Sequence, residues 1–168
     1  NYSNVIAGHI VQTLSEYSKK NNKKFIIALS SNRLDKINSI DYKNENSFYQ
    51  KYSDNFITIK DNSYNLADKS KLIICLNSNL GPELLSKNKK VLFINSVYFL
   101  TNWYFYNSDY SKIYLDNLDK KEIFKKLNYL LAMQNNEWND YMTKINKPLL
   151  YNENNKLLID LIDKLINK

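Results

Sequence analysis

The chain has 168 residues, is 43% hydrophobic and carries a formal net charge of +7 with a pI near 9.2, which suits one domain with a sizeable core. A single cysteine, Cys75, and a single histidine, His9, exclude an internal disulfide and a zinc site of soft ligands, and argue against a His-dependent triad. The positive charge is not patterned for nucleic acid, so no nucleic-acid partner is expected: lysines alternate with Asp and Glu and gather only at Lys19-Lys20 with Lys23-Lys24, Lys87 with Lys89-Lys90, and Lys120-Lys121 with Lys125-Lys126, while Arg33 is the only arginine.

In chain order, residues 2–20 read as an amphipathic helix with Ile6, Ile10, Leu14 and Tyr17 on one face and His9 beside it as a packing residue. A helix ahead of any strand is an unusual opening for a parallel α/β domain, and the expectation is a piece of a longer protein whose N-terminal domain precedes it. Phe25 to Leu29 form the first strand, ending in Ser30, Ser31, Asn32 and Arg33. Arg33 has the fork that suits a diphosphate, and reads equally as a solvated loop arginine. Residues 34–46 are polar and aperiodic and read as a connection; a short helix from about Ser47 to Tyr52 leads to a strand from Phe56 to Ile59. Asp61, Asn62 and Ser63 form an N-cap cluster opening a helix through Tyr64, Leu66 and Ala67.

The best specified stretch runs from Lys71 to Ser96: an apolar strand ending in Asn77 and Ser78, a turn at Gly81, a short helix opening at Pro82, and a second apolar strand after Lys90. That is a strand-turn-helix-strand unit of a parallel sheet. Gly81 is one of only two glycines, so it marks an unusual dihedral or a close approach. Pro82 suits a first helical position, Glu83 the positive end of the helix dipole, and Asn88 a left-handed stop. Cys75, mid-strand, reads as a small buried hydrophobe, in keeping with a cytoplasmic setting. Ligands of open α/β sheets bind outside the carboxyl ends of the strands. Asn77, Ser78, Asn79 and Gly81 lie there, with hydroxyl, amide and backbone donors suited to a phosphate. Read without a ligand, Ser78 and Asn79 cap the helix and Glu83 balances its dipole.

Beyond Ser96, residues 97–106 are dense in aromatics, suited to a nucleobase or sugar platform, to contact with a membrane, or to packing on the sheet edge. Ile113 to Leu115 read as a fifth strand. Asp119 or a neighbour then caps one long helix to about Lys144, with Ile123, Phe124, Leu127, Leu131, Trp138 and Met142 inward, and Pro148 breaks it. A last helix carries Leu158, Leu161, Ile162, Leu165 and Ile166. The fold expected is α/β, Rossmann-like, a single domain over 1–168 with a parallel sheet of about five strands near 25, 56, 72, 91 and 113 and helices on both faces.

The pattern of Asn77, Ser78, Gly81, Glu83, Leu84, Leu85, Asn88, Lys89, Lys90 and Val91 resembles the nucleotide-sugar-binding signature in the C-terminal half of GT-B glycosyltransferases, nearest to those of bacterial surface-carbohydrate synthesis. Ala67-Asp68 ahead of the strand agrees with it; Leu84 stands where the family often has alanine and Asn88 where it usually has glycine. The resemblance implies a donor site in which Ser78 and the turn amides meet phosphates and Glu83 the ribose or sugar, with Ser31, Arg33, Asn77, Asn79 and Gly81 around it. It implies an acceptor side supplied by the missing N-terminal domain in cis; no cofactor and no metal are expected, and the protein is expected in the cytoplasm, at the inner face of the membrane with peripheral contact to it. A same-fold epimerase, a CDP-polyol phosphotransferase and a degenerate non-enzymatic module stand as the other readings.

Overall fold

The computed structural model describes residues 2–29, 40–59, 61–76, 78–95, 110–145, 159 and 163–164. The order is α1 (Tyr2–Lys20), β1 (Phe25–Ile26), α2 (Ile40–Gln50), β2 (Phe56–Ile57), α3 (Ser63–Asp68), β3 (Ile73–Cys75), α4 (Leu80–Ser86), β4 (Val91–Ile94), β5 (Tyr114–Leu115), α5 (Lys120–Ala132) and α6 (Asn135–Lys144). Strands form at each of the expected places, and every pairing is parallel.

The single five-stranded sheet is not formed among the described residues. Two sheets stand in its place, β1-β2 and β3-β4-β5. The division follows burial. All four residues of β4 are buried, as a strand covered on both faces requires. By contrast β1 is half-buried and Ile57 of β2 is exposed, and the two share a ladder only two residues long, extended by the Ile27 amide to the Ile57 carbonyl at 3.3 Å. Phe25 still packs against the core gathered around β4.

Helix α1 buries Ile6, Ile10, Leu14 and Tyr17 as its periodicity predicts, whereas His9 is exposed rather than packed. It lies along α5: the Tyr17 hydroxyl donates to Asn128 Oδ1 at 2.6 Å, Phe124 meets the Tyr17 ring edge-on, and Lys120 pairs with Glu16. Helix α2 starts at Ile40, well before the expected Ser47. Asn62 caps α3, its side chain accepting from the Asn65 amide.

The expected long helix after Asp119 is two helices. Asp119 accepts from the Lys121 and Glu122 amides and opens α5, but Met133 and Gln134 are extended and α6 restarts at Asn135. Glu137 accepts from the Gln134 amide at 2.7 Å, and Lys90 donates to the Met133 carbonyl. The bend brings Trp138 onto the end of α4, where its indole N–H donates to the Asn88 carbonyl at 2.9 Å. Leu127, Leu130, Trp138, Tyr141 and Met142 are thereby all buried. The aromatic segment 97–106 lies outside the described residues, as does most of the last helix.

Helix α4 begins at Leu80, so Pro82 occupies its third position and Gly81 lies within the helix with an ordinary negative φ. No tight turn requires the glycine. A close approach does: a Cβ on Gly81 would stand 2.5 Å from the Phe93 ring and 3.0 Å from Cys75 Cβ and Sγ. The left-handed turns fall to asparagine. Asn88 has φ 63°, with its amide on the Leu85 carbonyl at 2.9 Å and that of Lys89 on Leu84 at 3.0 Å. Asn22 (φ 49°) closes α1 in the same way, with the Lys23 amide on Ser18. Both are Schellman stops.

Alanine at position 81 would improve helix propensity by about 1 kcal/mol, yet the added methyl has no room against Phe93. Gly81→Ala should therefore lower stability in urea by about 1–3 kcal/mol, the cost of overpacking, with part recovered in the Gly81→Ala, Phe93→Leu double variant. An unchanged or raised midpoint would show that α4 does not depend on this contact.

Candidate functional site

Three parallel strands set the candidate site. In the order β3-β4-β5, Cys75 lies beside Phe93, Phe93 beside Tyr114 and Ile94 beside Leu115, and the ladder continues through the Asn95 amide to the Leu115 carbonyl at 2.8 Å. The strands therefore end together, and polar residues follow each: Ser78 and Asn79 after β3, Asn95 after β4, Asp116 and Asn117 after β5.

The groups at this edge are held by local bonds. Ser78 Oγ accepts from the Leu80 amide at 3.2 Å and its carbonyl from the Gly81 amide at 3.2 Å, so Ser78 shapes the entry into α4. Asn79 is the exposed N-cap of α4 and makes no side-chain cap bond. Gly81 is buried over Phe93 and Cys75. Asn117 Oδ1 accepts from the Asp119 amide at 2.6 Å, and Asp119 holds the first amides of α5. The ring of His9 faces the Leu118 carbonyl at 3.2 Å; a carbonyl only accepts, so Nε2 carries the proton in this contact.

Glu83, in the first turns of α4, accepts a hydrogen bond from the hydroxyl of Tyr64 on α3. That bond, followed by burial and the carboxylate's charge, raises the phenol's pKa above its ordinary value. The Lys87 ammonium lies 5.1 Å from the Tyr64 ring centroid. Just past the end of α4, Lys89 bonds Asp68 of α3 at 2.7 Å and, with its charge, holds that carboxyl below the usual range. The structure thus gathers Ser78, Asn79, Gly81 and Glu83 around the start of α4, and adds Tyr64. Nothing in the sequence set Tyr64 apart from the other 13 tyrosines; only the juxtaposition of α3 and α4 does. Asn77, Ser31 and Arg33 lie outside the described residues.

Cys75 ends β3 just beneath this edge. It is a free thiol, buried, and burial pushes its pKa up to about 12. Among the described residues no group of three His, Cys, Asp or Glu could hold a metal ion, and no helix is long and apolar enough to cross a membrane.

A family whose description is "putative O-antigen biosynthesis protein" matches residues 6–166. The chain belongs to this family. Its place is therefore surface-carbohydrate biosynthesis, the coarser part of what the resemblance implies. No curated protein and no solved structure matches the chain.

A thiol with a pKa near 12 is almost wholly protonated at pH 8, and the thiolate is the reactive form. Native protein should leave a disulfide reagent such as DTNB unreacted at pH 8 and release one equivalent of thiol on unfolding in guanidinium. Rapid reaction of the native thiol would show that the end of β3 opens to solvent.

Proposed function

We propose that this chain is the donor-binding domain of a glycosyltransferase of O-antigen synthesis, taking a nucleotide-sugar at the carboxyl edge of β3-β4-β5. The observation that carries the reading is the alignment of three parallel strand ends, each followed by polar residues, in a chain of an O-antigen biosynthesis family. Such edges are where open α/β sheets bind ligands.

The roles follow from the chemistry. Glu83, its carboxylate fixed by the Tyr64 hydroxyl, accepts from ribose or sugar hydroxyls and orients the donor. Ser78 and Asn79 meet the diphosphate, and the resemblance adds Asn77, Ser31 and Arg33 to them. As the glycosidic bond breaks, negative charge grows on the departing nucleotide, and donors fixed in advance stabilise it at little reorganisation cost. Gly81 contributes by letting α4 sit close to the sheet, which sets the height of Ser78 and Glu83. The acceptor side comes from a further domain in cis, at the cytoplasmic face of the membrane.

The test is thermal unfolding against CMP, CDP, UDP, GDP and ADP and their sugars. A ligand at a hundred times its Kd stabilises by about 2.7 kcal/mol, a rise in Tm of roughly 5–10 °C for a chain of this size. The shift should appear with one base and be largely lost in Ser78→Ala and Glu83→Ala; Tyr64→Phe should weaken binding severalfold by freeing the carboxylate. No shift with any nucleotide, or a shift indifferent to both alanine variants, would remove the donor reading.

A further inference from the structure

Away from the carboxyl edge, a depression of about 360 Å³ opens between α2 and β2, lined by Asn46, Gln50, Ser53, Asp54, Phe56 and Thr58. Its floor is rigid. Ser53 is buried, its Oγ 2.9 Å from both Ser15 Oγ and Asn55 Oδ1, and Asn55 donates to Ser18 Oγ at 2.9 Å, so the turn before β2 is tied to α1. Asp54 at the rim is held by Lys19 at 2.6 Å. The Phe56 ring is braced by an edge contact from Tyr49, with centroids 6.4 Å apart.

The rest of the lining is uncommitted. Asn46 and Gln50 stand one helical turn apart on α2 and so share a face. Neither carboxamide, nor the hydroxyl of Thr58, has a hydrogen-bond partner among the described residues, although Asn46 and Thr58 are half-buried. Two free carboxamides and a hydroxyl beside a braced aromatic ring make a specific demand. Carboxamides pair as donor and acceptor with neighbouring hydroxyls, and the ring takes an apolar C–H face. A neutral, polyhydroxylated ring with one apolar face satisfies both. A phosphate does not, because the charged residue among the described lining, Asp54, is itself an anion.

We propose that this depression is a carbohydrate subsite, holding one sugar unit of a glycan through Asn46, Gln50, Thr58 and Phe56. It is a different site from the donor edge, built on the other sheet, and it does not depend on the donor reading. The class of ligand accords with the family's place in O-antigen synthesis.

The test is ¹⁵N NMR titration of the full chain with galactose, mannose, rhamnose and N-acetylglucosamine. At least one should move the side-chain amide signals of Asn46 and Gln50 saturably, with a Kd of roughly a millimolar, while signals at Ser78 and Glu83 stay still. Gln50 is exposed and Asn46 only half-buried, and neither carboxamide holds a partner among the described residues, so Asn46→Ala and Gln50→Ala should keep the native spectrum. Each should weaken the sugar roughly fivefold, as loss of one hydrogen bond does, and Phe56→Leu should weaken it further. A Ser78→Ala, Glu83→Ala variant should bind the sugar unchanged, which separates failure here from failure of the donor site. No saturable shift with any of the four, or an affinity unmoved in the Asn46→Ala, Gln50→Ala double variant, would overturn the proposal.

Discussion

The contact of Gly81 with the Phe93 ring and the Cys75 side chain governs the three-stranded part of this fold. Strand β4 is covered on both sides, and α4 closes one of them at a distance that only a residue without a side chain permits. Everything proposed for the carboxyl edge hangs on that distance. Ser78 and Asn79 precede the contact by two or three residues and Glu83 follows it by two, so their heights above the strand ends are set by how deeply α4 lies. Trp138 then locks the far end of α4 through the Asn88 carbonyl, and the helix is held at both ends.

The same contact explains how so few glycines suffice. Chains commonly use glycine both for left-handed turns and for close packing. Here asparagine takes the turns, at Asn22 and Asn88, since its short polar side chain tolerates a left-handed backbone better than most residues do. Glycine is kept for close approach: Gly8 lies beneath the Tyr52 ring and Gly81 beneath Phe93, and neither has a positive φ. An asparagine can replace glycine in a stop, but nothing larger than a hydrogen can replace it under Phe93.

What could be read in advance divides along the same line. Local signals held: the α1 stripe, the cap at Asn62, the cap at Asp119, the stop at Asn88, and the place of each strand. The start of α2 escaped because the run from Ile40 to Asn46 is mostly polar and without an apolar period, and helix without an apolar stripe leaves no period to read. The break between α5 and α6 escaped because no glycine or proline marks it; its local trace is the bond that the Gln134 amide donates to Glu137. Sheet membership escaped for a different reason. Whether β1 joins β3 depends on burial across the whole domain, and Phe25 and Ile26 carry the same residue types whether or not they do. Of the candidate site, the placement of Ser78, Asn79 and Glu83 near one helix start was legible, whereas Tyr64 was not, being 19 residues from its partner.

The two polar regions differ in how far their groups are committed. At the carboxyl edge Ser78, Asn117 and Glu83 already hold protein partners, so their positions are fixed before any ligand arrives. A ligand there must match given geometry, but little ordering remains to be done, the condition under which a modest contact area binds selectively. Between α2 and β2 the floor is fixed while the carboxamides above it are free. Those side chains must be ordered by the ligand, which weakens binding but tolerates variation among hydroxyl patterns. Selective recognition suits a donor whose nucleotide never changes, and tolerant recognition suits a polymer whose units differ along its length. The distribution of satisfied and unsatisfied polar groups thus supports the two different roles proposed for these regions.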